Sequence, residues 1–184
     1  MKHTISLLLA LVMALVLTFA LTACSDSGAE TETSEPETAV EEAKTAPAVA
    51  DPEAALEEIY AQLTRTTGLV DADDDTVSDV MGFDLETIEE YWIRYMETDF
   101  GASDVYIIKP VEGQEDTVRK DMKEWQESRI RAFSGYDIYN STDISENAVI
   151  FTRGDYLVML MLEDNDGARS ILEAHIPEEL DLDD

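Results

Sequence analysis

AVIFTRGDYLVMLM, residues 148–161, reads as two apolar runs, Ala148 to Phe151 and Tyr156 to Met161, on either side of Arg153-Gly154-Asp155. Runs of β-branched, aromatic and other large apolar residues that close on a Gly-containing turn form a hairpin. This is the clearest local structure in the chain, and it makes antiparallel strands the basis of the domain. Arg153-Gly154-Asp155 also spells an adhesion tripeptide, but a hairpin turn accounts for each of its residues.

Upstream, Glu112 to Phe133 reads as a long helix. Val118, Met122, Trp125 and Phe133 mark its inner face, Arg119, Lys120, Lys123, Arg129 and Arg131 concentrate five of the chain's 12 Lys and Arg on it, and Gly135 ends it. Before it, Val105-Tyr106-Ile107-Ile108 ahead of Pro110 reads as a strand, and Asp99-Phe100-Gly101 as a turn. Glu89 to Met96 is ambiguous. Tyr91, Ile93 and Tyr95 alternate as a strand requires, while Ile88, Trp92 and Tyr95 make a helical stripe. After the hairpin, a short helix starts near Asp164-Asn165-Asp166 and ends before Pro177, using Ala168, Ile171 and Leu172.

Towards the N-terminus, Asp51 to Thr67 has a cap at Asp51, Pro52 at the first helical position, and Leu56, Ile59, Tyr60 and Leu63 at helical spacing, with Gly68 as the stop. Val70 to Thr76 follows. Its alternating Asp71, Asp73 and Asp75 resemble the opening of an EF-hand loop, but Thr76 stands where the turn needs Gly and Gly82 where the bidentate Glu should be. A solvated acidic loop is the better reading, with weak calcium binding at 71–75 the alternative.

Residues 25–50, SDSGAETETSEPETAVEEAKTAPAVA, lack large apolar side chains and any period, so they cannot bury enough surface to offset chain entropy. They read as a tether with a reach of roughly 30 Å. Ahead of it, Lys2 and His3, an apolar run from Ile5 to Ala20, and Leu21-Thr22-Ala23-Cys24 look like a lipoprotein leader, 1–23, whose lipobox ends in the chain's single cysteine. The rival is an uncleaved membrane anchor, but the next basic residue is Lys44 and no stop-transfer cluster follows. Cys24 is therefore the expected lipid attachment site, at ~0.8 kcal/mol per buried methylene. The protein is expected at the cell membrane, lipid-anchored on its extracytoplasmic face.

The chain carries 12 Lys and Arg against 42 Asp and Glu, a formal charge of −30. Losing the leader removes Lys2 and no acid. Such a field repels nucleic acid and anionic headgroups and attracts cationic partners. With Cys24 lipidated the domain has no disulfide and folds on its core alone.

In order, then, the chain shows a lipobox cysteine, an acidic tether, IEEYWIRY (88–95), SDVYIIK (103–109), VRKDMKEWQESRI (118–130), AVIFTRGDYLVMLM and a short helix. This order is similar to that of the bacterial lipoproteins of domain-of-unknown-function family 4358, over roughly Phe83 to Ile176. The resemblance implies that 89–96 is a strand. It also implies an α+β fold of two hairpin–helix units: a four-stranded antiparallel sheet with helices packed on one face, plus the N-terminal helix. It implies no activity. The expected organisation is leader 1–23, lipidated Cys24 and tether 24–50, N-terminal helix and acidic loop 51–82, α+β domain 83–176 and acidic tail 177–184.

Enzymatic chemistry finds little to work with. Nucleophile–base pairs need a Cys or Ser beside a His, and zinc sites need His and Cys. His3 leaves with the leader, Cys24 is lipidated, and His175 stands alone at a helix end, where a solvated residue near the negative dipole end is the simpler reading. Carboxylate pairs for glycoside hydrolysis are too numerous for one to be singled out. No catalytic residue, metal or cofactor is expected. The expected function is a non-enzymatic binding module on a membrane-anchored surface lipoprotein, its partner a basic protein or peptide and not a nucleic acid. The alternatives are a carboxylate-based hydrolase of envelope material and an accessory subunit of a transporter.

Overall fold

The computed structural model describes residues 49–178. The expected leader, Cys24, the tether up to residue 48 and the tail from residue 179 lie outside the described residues. Among those described, no helix is long and apolar enough to cross a membrane.

Helix α1, Pro52–Ala61, starts as its sequence dictates: Asp51 Oδ1 accepts the Ala54 amide at 3.0 Å, and Pro52 takes the first position. Leu56, Ile59 and Tyr60 are buried. The helix stops short of the expected Thr67. Thr64, Thr66 and Thr67 favour helix weakly, and Arg65 is held by the carbonyls of Phe100 at 3.2 Å and Ala102 at 3.5 Å. Gly68, at φ 85°, then turns the chain into strand β1, Leu69–Asp71.

Strand β2, Ile88–Met96, and strand β3, Asp104–Pro110, form the first hairpin, and helix α2, Glu115–Phe133, follows. The ambiguous 89–96 stretch is thus a strand. Between α2 and the second hairpin lies the short helix α3, Ser141–Glu146. Strands β4, Val149–Arg153, and β5, Tyr156–Met161, make the second hairpin, and helix α4, Asn165–His175, closes the fold. All pairings are antiparallel, in the order β1-β2-β3-β5-β4.

The α+β class and the two hairpin–helix units stand, but two expectations are corrected. The sheet has five strands, not four: β1 pairs Leu69 with Met96, Val70 with Tyr95 and Asp71 with Arg94, in a stretch read partly as loop. Helices also cover both faces rather than one. Tyr106, Ile108, Leu157 and Met159 pack under α2, against Val118, Met122 and Trp125. Val105, Ile107, Val158 and Leu160 pack under α1 and α4, against Ile59, Ile171 and Leu172. Every residue from Val105 to Ile108 is 0% exposed, which a sheet with one wet face does not allow.

The second hairpin turns through Gly154-Asp155, with Gly154 at φ 52° and Asp155 not at positive φ. Gly at the first central position is what a type II′ turn requires. A Cβ there would also lie 2.8 Å from the Pro177 carbonyl oxygen, which is backbone and cannot swing away. Gly154→Ala is expected to cost about 1–3 kcal/mol, read from a shift in the denaturant midpoint at unchanged slope.

Candidate functional site

The most elaborate constellation in the domain lies inside it. Helix α2 buries Val118, Met122, Trp125 and Phe133 as their spacing requires, and Arg129 shares that stripe at 1% exposure. A buried guanidinium has to be paired and hydrogen-bonded to be tolerated. Asp104, the first residue of β3 and 0% exposed, supplies the counter-charge. Arg129 Nη2 lies 3.2 Å from Asp104 Oδ1. Nε stands 3.0 Å from Oδ2, an ion-pair contact whose angle is too poor for a hydrogen bond. Nη2 also donates to the carbonyls of Met96 and Gly101, each at 2.9 Å, and Nη1 to Thr98 Oγ1 at 3.0 Å.

Around Asp104 the donors converge. The amides of Met96 and Ser103 reach Oδ1 at 3.0 and 3.1 Å, and the Tyr106 hydroxyl reaches Oδ2 at 3.3 Å. Trp125 Nε1 donates to that hydroxyl. Burial pushes the Asp104 carboxyl above its ordinary range, while Arg129, then the two amides and Tyr106, draw it back. Burial, and then the charge of Asp104, pushes the Tyr106 and Tyr60 hydroxyls well up, so both remain donors. Tyr60 Oη sits 2.7 Å from the Arg94 carbonyl and 2.9 Å from that of Ser103. Together these groups hold the connection between β2 and β3 against α2 and α1. Closed to solvent, they act as a structural lock and offer a substrate no face.

The positive charge of α2 is accordingly not one basic face. Arg129 points inward, Lys120 pairs with Glu124 at 2.8 Å and Arg131 with Glu127 at 3.7 Å along the helix, and Arg119 donates to Thr152 Oγ1 at 2.9 Å. His175 is corrected too. It is not a lone solvated residue: its Nε2 lies 2.6 Å from Glu58 Oε2 of α1, with its side chain 19% exposed. The same helix end receives the Asp51 amide on the His175 carbonyl at 3.0 Å.

In the acidic stretch 71–75, Asp71 pairs with Arg94 Nε at 2.5 Å, Asp73 Oδ1 accepts the Thr76 amide at 2.9 Å, and Asp74 Oδ1 accepts the Tyr91 hydroxyl at 2.5 Å. Burial and the Asp74 hydrogen bond push Tyr91 up to about 12. A π-helical turn, Thr76–Val80, occupies positions six to ten of what would be the twelve-residue EF-hand loop. Among the described residues no group of three His, Cys, Asp or Glu is arranged to hold a metal ion. Arg153 of the Arg-Gly-Asp turn is likewise engaged, donating to the Ile176 carbonyl at 2.7 Å and pairing with Glu178 at 3.6 Å.

At the surface, α3, β4 and the start of α4 enclose an open groove of about 440 Å³. Asp143, Glu163, Asp164 and Asp166 line it with Asn140, Asn147 and Asn165, and Ile144, Val149 and Leu162 form its apolar part. Asp164 caps α4 through the Gly167 amide at 2.8 Å, and Asn165 bridges the Leu162 amide to the Asn147 carbonyl. No Lys or Arg lines it. Chemically it suits an ammonium or guanidinium side chain. The sequence offered no signal for this groove, because its acids are ordinary members of an acidic chain until the fold assembles them. Cys24 falls outside the described residues.

The family model described as a domain of unknown function (DUF4358) matches residues 61–162, more than half of the chain. The match begins earlier than the Phe83 suggested by the motifs and ends before α4. No curated protein and no solved structure matches.

Proposed function

We propose, for a chain that belongs to the DUF4358 family, that the domain is a binding module for a basic protein or peptide and performs no chemistry of its own. The observation that carries this reading is how the positive charge is used. Of the ten Lys and Arg among the described residues, Arg94, Lys109, Lys120, Arg129, Arg131 and Arg153 stand in ion pairs with the chain's own carboxylates. In a chain of formal charge −30, most of the acid is left without internal compensation. Such a field steers cations inward and keeps nucleic acid away.

The test is the association rate of a labelled Lys-rich peptide across a salt series. The Debye length shrinks from about 30 Å at 0.01 M salt to about 10 Å at 0.1 M, and the rate is expected to fall at least about tenfold over that range. A salt-independent rate refutes the steering. Turnover of peptide or glycan substrates that disappears on one carboxylate substitution refutes the binding-module reading.

The Leu21-Thr22-Ala23-Cys24 ending supports display from a membrane through a lipid on Cys24, on the extracytoplasmic face. Cys24→Ala is then expected to leave an unprocessed, unlipidated precursor. Mass spectrometry that finds Cys24 unmodified in the wild-type membrane fraction overturns this.

A further inference from the structure

The sheet has two edges, β1 and β4, and they are finished differently. β1 is three residues long, and Asp71 at its end is tied to Arg94. β4 is five residues of sequence VIFTR, without Pro, Gly or Lys, and among the described residues it pairs only with β5. The two-residue turn makes Arg153 and Tyr156 a hydrogen-bonded pair. By the alternation of an antiparallel ladder, Phe151 and Val149 then bond to β5, and the N–H and C=O groups of Ile150 and Thr152 point outward. An edge without the usual blocks is a template for a further strand. Its first residue, Val149, also lines the groove that holds Asp143, Glu163, Asp164 and Asp166.

We propose that the free edge of β4 receives an extended segment of a basic protein as a sixth strand, with its Lys or Arg side chains entering the acidic groove. Main-chain hydrogen bonds to Ile150 and Thr152 hold the segment, and the carboxylates select its charge. Charge decides the occupant. A second copy of this chain brings a formal charge of −30, and residues 25–50 and 179–184 are themselves acid-rich, so each would meet the groove with like charge. The edge also has a polarity. Arg119, on Thr152 Oγ1, and Arg153 occupy its far end. The basic residues of the incoming strand therefore lie at the Val149 end. This inference rests on the reading of the domain as a module for a basic partner, and adds the place.

The experiment uses the full chain with a labelled octapeptide of alternating Lys and Val, and a Glu–Val counterpart. Anisotropy should show binding of the Lys–Val peptide alone. Thr152→Pro, which removes an outward donor, should weaken it at least about tenfold, while Thr152→Val leaves it within about twofold. Glu163→Gln with Asp166→Asn, which spares the Asp164 cap, should weaken it also. In the wild type, amide exchange at Ile150 and Thr152 should slow when the peptide is present. The double variant and the exchange measurement stand whether or not Thr152→Pro folds. Salt-sensitive binding that ignores all these variants and leaves both amides unprotected overturns the β4 site but not the basic-partner reading. Absence of binding by any Lys-rich peptide overturns both. Self-association without peptide, lost in Thr152→Pro by sedimentation, makes a second copy the occupant and overturns the proposal.

Discussion

Arg129→Ala is expected to lower the free energy of unfolding by about 3–5 kcal/mol, the cost of leaving a buried charge uncompensated. Asp104, 0% exposed, would lose the ion-pair partner it has in Arg129, and the carbonyls of Met96 and Gly101 would lose a buried donor at once. Arg129→Lys should recover little. One ammonium cannot span Thr98 Oγ1, two carbonyls and the carboxylate, which the planar guanidinium reaches together. The informative comparison is Asp104→Leu with Arg129→Met, which removes both charges and keeps apolar volume. Its loss should be smaller than that of Arg129→Ala alone, because no unpaired ion remains, although the freed Met96 and Ser103 amides keep it from being neutral. Urea titrations of the three variants decide the matter. A loss below about 1 kcal/mol for Arg129→Ala would mean that the pair behaves as a surface salt bridge and that the lock does not exist.

That lock was half legible in the sequence. Met122, Trp125, Arg129 and Phe133 fall on one helical stripe, so an arginine on an apolar face was there to be seen, and a buried arginine demands an acid. What the sequence did not carry was the identity of that acid among 42, since Asp104 lies 25 residues away and meets Arg129 only when the first hairpin packs on α2. The hairpin at 148–161 was read correctly because its signal is local: two apolar runs and a Gly turn. The cover on the second face has a signal of its own. Val105 to Ile108 and Tyr156 to Met161 are unbroken apolar runs, the pattern of strands buried on both sides, whereas a half-wet strand alternates. β1 had no such signal, because three residues hold too little alternation to register and its pairing is set by β2.

The two-sided core leads to the second large effect. The family-matched segment 61–162 holds all five strands and both helices of the α2 side, but Pro52–Tyr60 and α4 lie outside it. Cut to that segment, the domain loses Leu56, Ile59, Tyr60, Ile171 and Leu172, at about 1.5–3 kcal/mol for each large apolar side chain withdrawn from the core. It also bares Val105, Ile107, Val158 and Leu160, which are 0% exposed beneath those helices. Against a total stability of about 5–15 kcal/mol for a domain, that loss is decisive. Residues 61–162 alone are therefore expected to bind a hydrophobic dye and to show no cooperative unfolding, while residues 51–176 unfold in one sharp transition. The two helices also fasten each other, through the Asp51 amide on the His175 carbonyl at 3.0 Å and Glu58 on the His175 ring at 2.6 Å. Restoring either helix alone should consequently recover less than half of the stability that both recover together, because each would lack its partner as well as part of the sheet. A cooperative transition of 61–162 at the midpoint of 51–176 would show that the sheet and the α2 layer suffice, and that the second face needs no cover to fold.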